Sequence, residues 1–332
     1  MRTAGVIARD ARPDADAVVQ TLPYSMAGLA PLTVFPFTPS MEFLRTRIEA
    51  SVLAISRPPG SADFLNPPGD PGLFGPDSAA WQVHSDFTAM LTGGVAALLL
   101  QMLHPLPLAG VWDHSNFQAD MMGRLRRTAQ FIAGTTFGGR ADAERLIAHV
   151  RHIHAGIRGT APNGQTYSAS DPQLLTWVHA AEVSCFLRGY MRYRNPGFSA
   201  ADQDRYFDEI ARVAEALGAI DVPRTRAATE AYIEQMRPQL LCDERTRKTL
   251  ELVLNAPAPN ALAQPYTRLM MRAGVDLLPH WAQLMLGVMP RSPARSELLR
   301  RSVTVAAAPL RWAVRNGSIH LARRRMGLPP QG

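Results

Sequence analysis

The sequence predicts an all-α protein, a single large helical domain, and three observations predict it. Apolar residues recur at spacings of three and four over most of the chain beyond residue 78. No segment sustains the two-residue alternation of a half-buried strand. Clusters of Gly and Pro separate the periodic stretches, as breaks between helices require. With 332 residues, 46 % of them apolar, the chain can fill one sizeable core.

Residues 1–40 read as an irregular N-terminal arm, 41–290 as the main helical domain and 291–332 as a basic C-terminal helical segment. The stretch RPPGSADFLNPPGDPGLFGPD, residues 57–77, is too dense in Pro and Gly for regular helix. The spacing then predicts helices over 79–103, 117–136, 141–158, 172–194, 200–217, 225–236, 243–255, 262–287 and 294–325. Gly138-Gly139, Pro162-Asn163-Gly164, Asn195-Pro196-Gly197 and Pro257-Ala258-Pro259 are among the breaks. The 172–194 helix has a clear start: Asp171 suits an N-cap, and Pro172 suits the first helical position, where no amide proton is missed. From Phe87 to Trp112 there is no Asp, Glu, Lys or Arg. A bilayer span needs about 20 apolar residues, and this run contains Thr88, Thr92, Gly93, Gly94 and Gln101, so it reads as a buried core helix.

Formal net charge is +7, and Lys248 is the only lysine. The arginines form no compact patch with interleaved aromatics, so nucleic acid is not an expected partner. Cys185 and Cys242 lie far apart in helix-like surroundings, which suits neither a disulfide scaffold nor a thiolate zinc site. The N-terminal residues lack the long apolar run of a secretory signal. The expected location is cytoplasmic, with a weak peripheral contact to membranes through the C-terminal segment, where arginines surround Leu298, Leu299, Val303, Leu310 and Trp312.

HVRHIHAGIRG, residues 149–159, is the stretch richest in imidazole. On a helical wheel, Leu146, Ile147, Val150, Ile153 and Ile157 define the apolar face of 141–158. His152 points away from that face, His149 lies at its edge, and His154 borders it. The three cannot converge on one ion from one helix. Periodicity therefore selects His154, either as a hydrogen-bonded core residue or as the axial ligand of a haem, which needs one imidazole and an apolar slot. Other metal chemistries lack their motifs: there is no H-E-x-x-H, no C-x-x-C and no Glu-x-x-His pair of the di-iron type. His179 falls in an apolar stripe with Leu175, Val183, Phe186 and Tyr190, and is either a core histidine or a second ligand.

Four runs in order carry a resemblance: GLFGPDSAAWQVHSDF, ALLLQMLHPLPLAGVWDHSNFQADMMGRLRRTAQFIAGTTFG, HIHAGIRG and YSASDPQLLTWVHA. They resemble the MpaB and latex-clearing-protein-type rubber oxygenase family, over roughly residues 70–255. The resemblance implies a globin-like core in the 41–290 domain, haem b as cofactor, and the use of dioxygen on an apolar, unsaturated terpenoid or lipid substrate. It implies that His154 is the proximal ligand to the haem iron. It implies that Arg124, Arg127 and Thr128, in RLRRT, are the distal polar groups, with Arg124 also available to a haem propionate. The rubber oxygenase has a lysine where Arg127 stands. Its catalytic glutamate upstream of this motif has no counterpart; the nearest acids are Asp113 and Asp120.

Spacing alone leaves RLRRT open. Arg124 and Thr128 share a helix face and Arg127 lies beside it, so the cluster is either a solvated basic face or a set of donors aimed into a cavity. The leading functional expectation is a haem b-dependent oxygenase. The alternatives are a haem-binding sensor or carrier without turnover, and a haem-free helical module that docks on membranes.

Overall fold

A computed structural model describes residues 41–57, 62–258 and 260–329. The expectation for the 1–40 arm lies outside these described residues. Among them the protein is all-α, with fourteen α-helices and one two-stranded hairpin. The described residues from 41 onward belong to one compact unit.

Helix α1 spans Met41–Ser56, ahead of the Pro/Gly-rich stretch. The continuous 79–103 helix is in fact two, α2 (Ala79–His84) and α3 (Phe87–Gln101). The break falls at Asp86, whose carboxylate accepts the Ala89 amide at 2.8 Å and so starts a new helix. Pro105 does not end a helix but begins α4 (Pro105–His114), capped by His104, whose Nδ1 accepts the Leu106 amide. Helix α5 (Met121–Phe137) and helix α6 (Arg140–Ala155) form a hairpin across Gly138-Gly139.

Helix α6 ends three residues short of the expected 158. The chain turns at Gly156 into β1 (Arg158–Thr160), which pairs antiparallel with β2 (Thr166–Ser168), Gly159 opposite Tyr167. Gly164 supplies the positive φ of the connecting turn, +83°. Three-residue strands are too short to show alternation, which is why periodicity passes over them.

The remaining helices are α7 (Pro172–Tyr193), α8 (Ala200–Leu217), α9 (Arg226–Met236), α10 (Glu244–Leu254), α11 (Gln264–Leu277), α12 (His280–Met285), α13 (Pro293–Ala313) and α14 (Ser318–Arg325). Asp171 caps α7 as expected, accepting the Gln173 and Leu174 amides. Each of the two long C-terminal helices expected from periodicity is divided, at Pro279 and at Arg315–Gly317.

The uncharged run is the central helix. α3 buries eleven of its fifteen residues and packs against α7 and α11. No single described helix is long and apolar enough to cross a membrane; α3 and α4 would reach that composition only as a pair bent by 105°. α3 and α7 approach closely because each offers a glycine. A Cβ on Gly189 would lie 2.6 Å from the Ala89 carbonyl oxygen, and one on Gly93 2.9 Å from that of Cys185. His84 ties α2 to the α5 and α8 helices, with Nδ1 2.8 Å from Thr136 Oγ1 and Nε2 2.9 Å from the Tyr206 hydroxyl. Burial pushes its pKa down to about 3, so the ring is a neutral structural crosslink.

The basic C-terminal segment is tied into the same unit. Arg311 bonds Asp86 at 2.6 Å and the Tyr193 carbonyl at 2.8 Å. Arg325 is 3 % exposed and donates to the carbonyls of Phe64, Asp70 and Gly138. Arg300 and Arg301 share Glu297.

Candidate active site

The α5–α6 hairpin is packed at its closed end and exposed at its open end. Near the turn, Gly134, Phe137, Ala143 and Ile147 are buried, and a Cβ on Gly134 would run into Leu146. One to two turns further along α6, Val150 and His154 are only half-buried, and Ile153 is 45 % exposed although it belongs to the apolar face. The uncovered apolar surface of α6 is thus concentrated around His154. His149 and His152 are exposed, and so is Arg145 beside them.

His154 opens onto a pocket of about 720 Å³ including its mouth. That lies within the usual range for small-molecule and cofactor sites. The α4 wall contributes Leu106, Gly110 and Val111, and the α7 wall Leu174, Leu175 and Val178. The hairpin forms a third wall. Tyr167 of β2 donates to Asp113 Oδ2 at 2.6 Å, and His114 Nε2 lies 3.2 Å from the Arg158 carbonyl, so α4 holds β1 and β2 in place. Burial, aided by Asp113, raises the Tyr167 hydroxyl to about 12, so it stays a proton donor.

Two side chains in this pocket lack partners. His154 Nδ1 is buried without a hydrogen bond, and burial lowers the ring's pKa below its ordinary value. Arg124 lines the same pocket, makes no side-chain hydrogen bond or ion pair among the described residues, and is lowered from its ordinary value chiefly by burial. A buried polar atom without a partner is uncommon and asks for a reason.

Glu182 is the residue the sequence reading passed over. It is the only acid of α7, and it lies on the same face as Leu175, Val178 and His179 by the three-and-four rule. Burial raises its carboxyl to about 7, and the Arg124 charge opposes that rise. Asp113 and Asp120, the acids nearest in sequence to RLRRT, are committed elsewhere. Asp113 accepts from Tyr167, while Asp120 caps α5 through the Gly123 amide and lies 3.7 Å from Arg127. A carboxyl facing Arg124 therefore comes from α7. The available signal was a lone acid one turn beyond His179 in an apolar stripe.

The other expected site residues separate. Arg127 is exposed and pairs with Asp120; Thr128 is exposed as well. His179 is buried at 9 % exposure, with Nε2 unpartnered and its pKa pushed down to about 4 by burial. It lies off the lining of the His154 pocket. Among the described residues no three His, Cys, Asp or Glu side chains group as metal ligands. Haem asks for less: one imidazole, an apolar slot and a cation for its propionates. His154, the uncovered face of α6 and Arg124 fit those three needs.

An all-α unit with an unpartnered imidazole and guanidinium in one apolar pocket defines a helical protein with a candidate small-molecule site. Residues 81–312 match the catalytic domain of the ER-bound oxygenase mpaB/B'/Rubber oxygenase family, and the chain belongs to that family. It is also similar to two curated relatives, the uncharacterized protein Mb2261 of Mycobacterium bovis and the uncharacterized protein Rv2237 of Mycobacterium tuberculosis. Each is 26 % identical over 160 residues, which cover 46 % of this chain and 62 % of the relative. No solved structure matches the chain.

Proposed function

We propose that the protein is a haem b-dependent oxygenase acting with dioxygen on an apolar, unsaturated terpenoid or lipid substrate. Membership of an oxygenase family supports the reaction class. The observation that carries the cofactor assignment is His154, with its orphaned Nδ1 at the one stretch of α6 whose apolar face is left uncovered. Haem, when bound, supplies the redox chemistry toward dioxygen.

The chain's own residues do the rest. His154 would hold the iron. Arg124 would offer a fixed cationic donor to negative charge in the pocket, whether a propionate or charge developing on the substrate. Glu182, close to half-protonated near neutral pH, can hold or release a proton beside it. The walls from α4 and α7 exclude water and accept an apolar chain. Arg127 and Thr128 belong to this reading only as further donors on α5, and His179 as support for the α7 wall. A weak peripheral membrane contact would bring the protein to a poorly soluble substrate; α13 exposes Leu298, Val305 and Trp312.

The test is oxygen uptake by the haem-loaded protein with unsaturated isoprenoid or lipid chains. Arg124→Ala is expected to keep the Soret band and lose uptake by about a hundredfold or more, the scale for removing one preorganised donor. Full uptake in Arg124→Ala would remove Arg124 from the reaction. A red protein that takes up no oxygen with any such chain would leave the sensor or carrier reading.

A further inference from the structure

A second concavity, of about 1310 Å³ with its open mouth, lies among α7, α8, α9, α11 and α13. Four guanidinium groups line it: Arg188 and Arg192 of α7, Arg226 of α9 and Arg300 of α13. Only two carboxylates face them, Glu230 and Asp276, and both are already engaged. Glu230 accepts from Arg226 Nε at 3.0 Å. Asp276 accepts from Arg192 Nη2 at 3.0 Å and from the Ser296 hydroxyl at 2.7 Å. Arg300 is paired with Glu297, outside the lining.

That leaves donors over. Arg188 makes no side-chain hydrogen bond or ion pair among the described residues, and Arg192 Nε is buried with no acceptor. Arg188 and Arg192 stand four residues apart on one helix, where like charges repel. An anion between them would reverse the sign of that interaction. Apart from Ser184, the rest of the wall is apolar, with Met191, Phe207 and Leu277.

We propose that this concavity binds a phosphate-bearing anion, a phosphomonoester or diphosphate, whose carrier group rests on the apolar wall. Guanidinium groups arrive from three helices, and each presents a planar fork that matches pairs of phosphate oxygens. A tetrahedral phosphate offers acceptors in several directions and can satisfy donors from all three. A carboxylate offers one plane and would leave part of the set unmatched. The inference is independent of the haem assignment, because the two sites share no lining residue.

The experiment is calorimetric titration of the full chain with inorganic pyrophosphate, paired with sedimentation of vesicles of phosphatidic acid in phosphatidylcholine. The wild-type protein is expected to bind pyrophosphate at one site. Arg188→Gln should weaken binding by roughly tenfold or more, the scale of one charge-assisted hydrogen bond. Arg188→Lys should keep part of it. Arg295→Gln, on an exposed side chain of α13 outside the lining, should leave it unchanged. If Arg188→Gln does not fold by circular dichroism, Arg300→Gln carries the test with the same expected loss. Vesicle binding that pyrophosphate displaces and Arg188→Gln abolishes identifies a lipid headgroup as the source. Pyrophosphate binding without vesicle binding identifies a soluble phosphate. Absence of both, or equal losses in the pocket variants and Arg295→Gln, overturns the proposal.

Discussion

Glu182 is the side chain whose chemistry in the fold departs most usefully from its free form. Its carboxyl is raised from 4.5 to about 7, first by burial. Ionising a raised acid costs the fold stability; that cost is absent below the unfolded pKa, grows between the unfolded and folded values, and is complete above the folded one. Glu182→Gln in the haem-free protein is therefore expected to be more stable than wild type near pH 8, by on the order of 3 kcal/mol, with the gap closing near pH 5. Urea denaturation at the two pH values checks this, and a gap that widens on acidification would reverse the assignment. The influence of the Arg124 charge on Glu182 was not legible in sequence, because the two residues lie on different helices, 58 positions apart. The relative burial of the three histidines was legible, because it depends on angle around one helix: His149 and His152 are exposed and His154 is half-buried. The separate exposures of Arg124, Arg127 and Thr128 were not legible, since they depend on which neighbours cover α5.

At the scale of elements, the crossing of α3 and α7 is set by Gly93 and Gly189. A methyl on Gly189 must displace backbone, whereas one on Gly94 would sit 3.7 Å from the Phe186 ring, an ordinary contact. Gly189→Ala is expected to cost roughly 1–3 kcal/mol through overpacking. Gly94→Ala is expected to be neutral or slightly stabilising, because alanine favours helix over glycine by about 1 kcal/mol. Chemical denaturation of the two variants checks the contrast; equal effects would mean that the helices separate freely. Helices with long apolar periods, such as α7 and α8, were legible almost to the residue. The misreadings share a cause. At Asp86 and Pro105 the same apolar pattern continues through a new cap, so periodicity runs two helices together at the first and passes over α4 at the second. The hairpin of β1 and β2 is held by Tyr167, Asp113 and His114, contacts that no local pattern announces.

For the whole molecule, the C-terminal arginines act largely as internal ties. Arg325 joins α14 to the 62–77 stretch and to the α5–α6 turn through three carbonyls. Arg325→Ala would leave those buried acceptors unpaired and is expected to destabilise the protein by roughly 3 kcal/mol or more. A loss under about 1 kcal/mol, the scale of an exposed pair, would show that water replaces the guanidinium. The same connected unit fixes α4, α6 and α7 around the pocket, so the proposed haem site turns on one histidine. The measurement that tests this most directly is haem titration of His154→Ala beside His149→Ala and His152→Ala, read at the Soret band. Stoichiometric haem is expected in the latter two and none in His154→Ala. Stoichiometric haem with an unchanged Soret maximum in His154→Ala would contradict this expectation, and would move the ligand to His179.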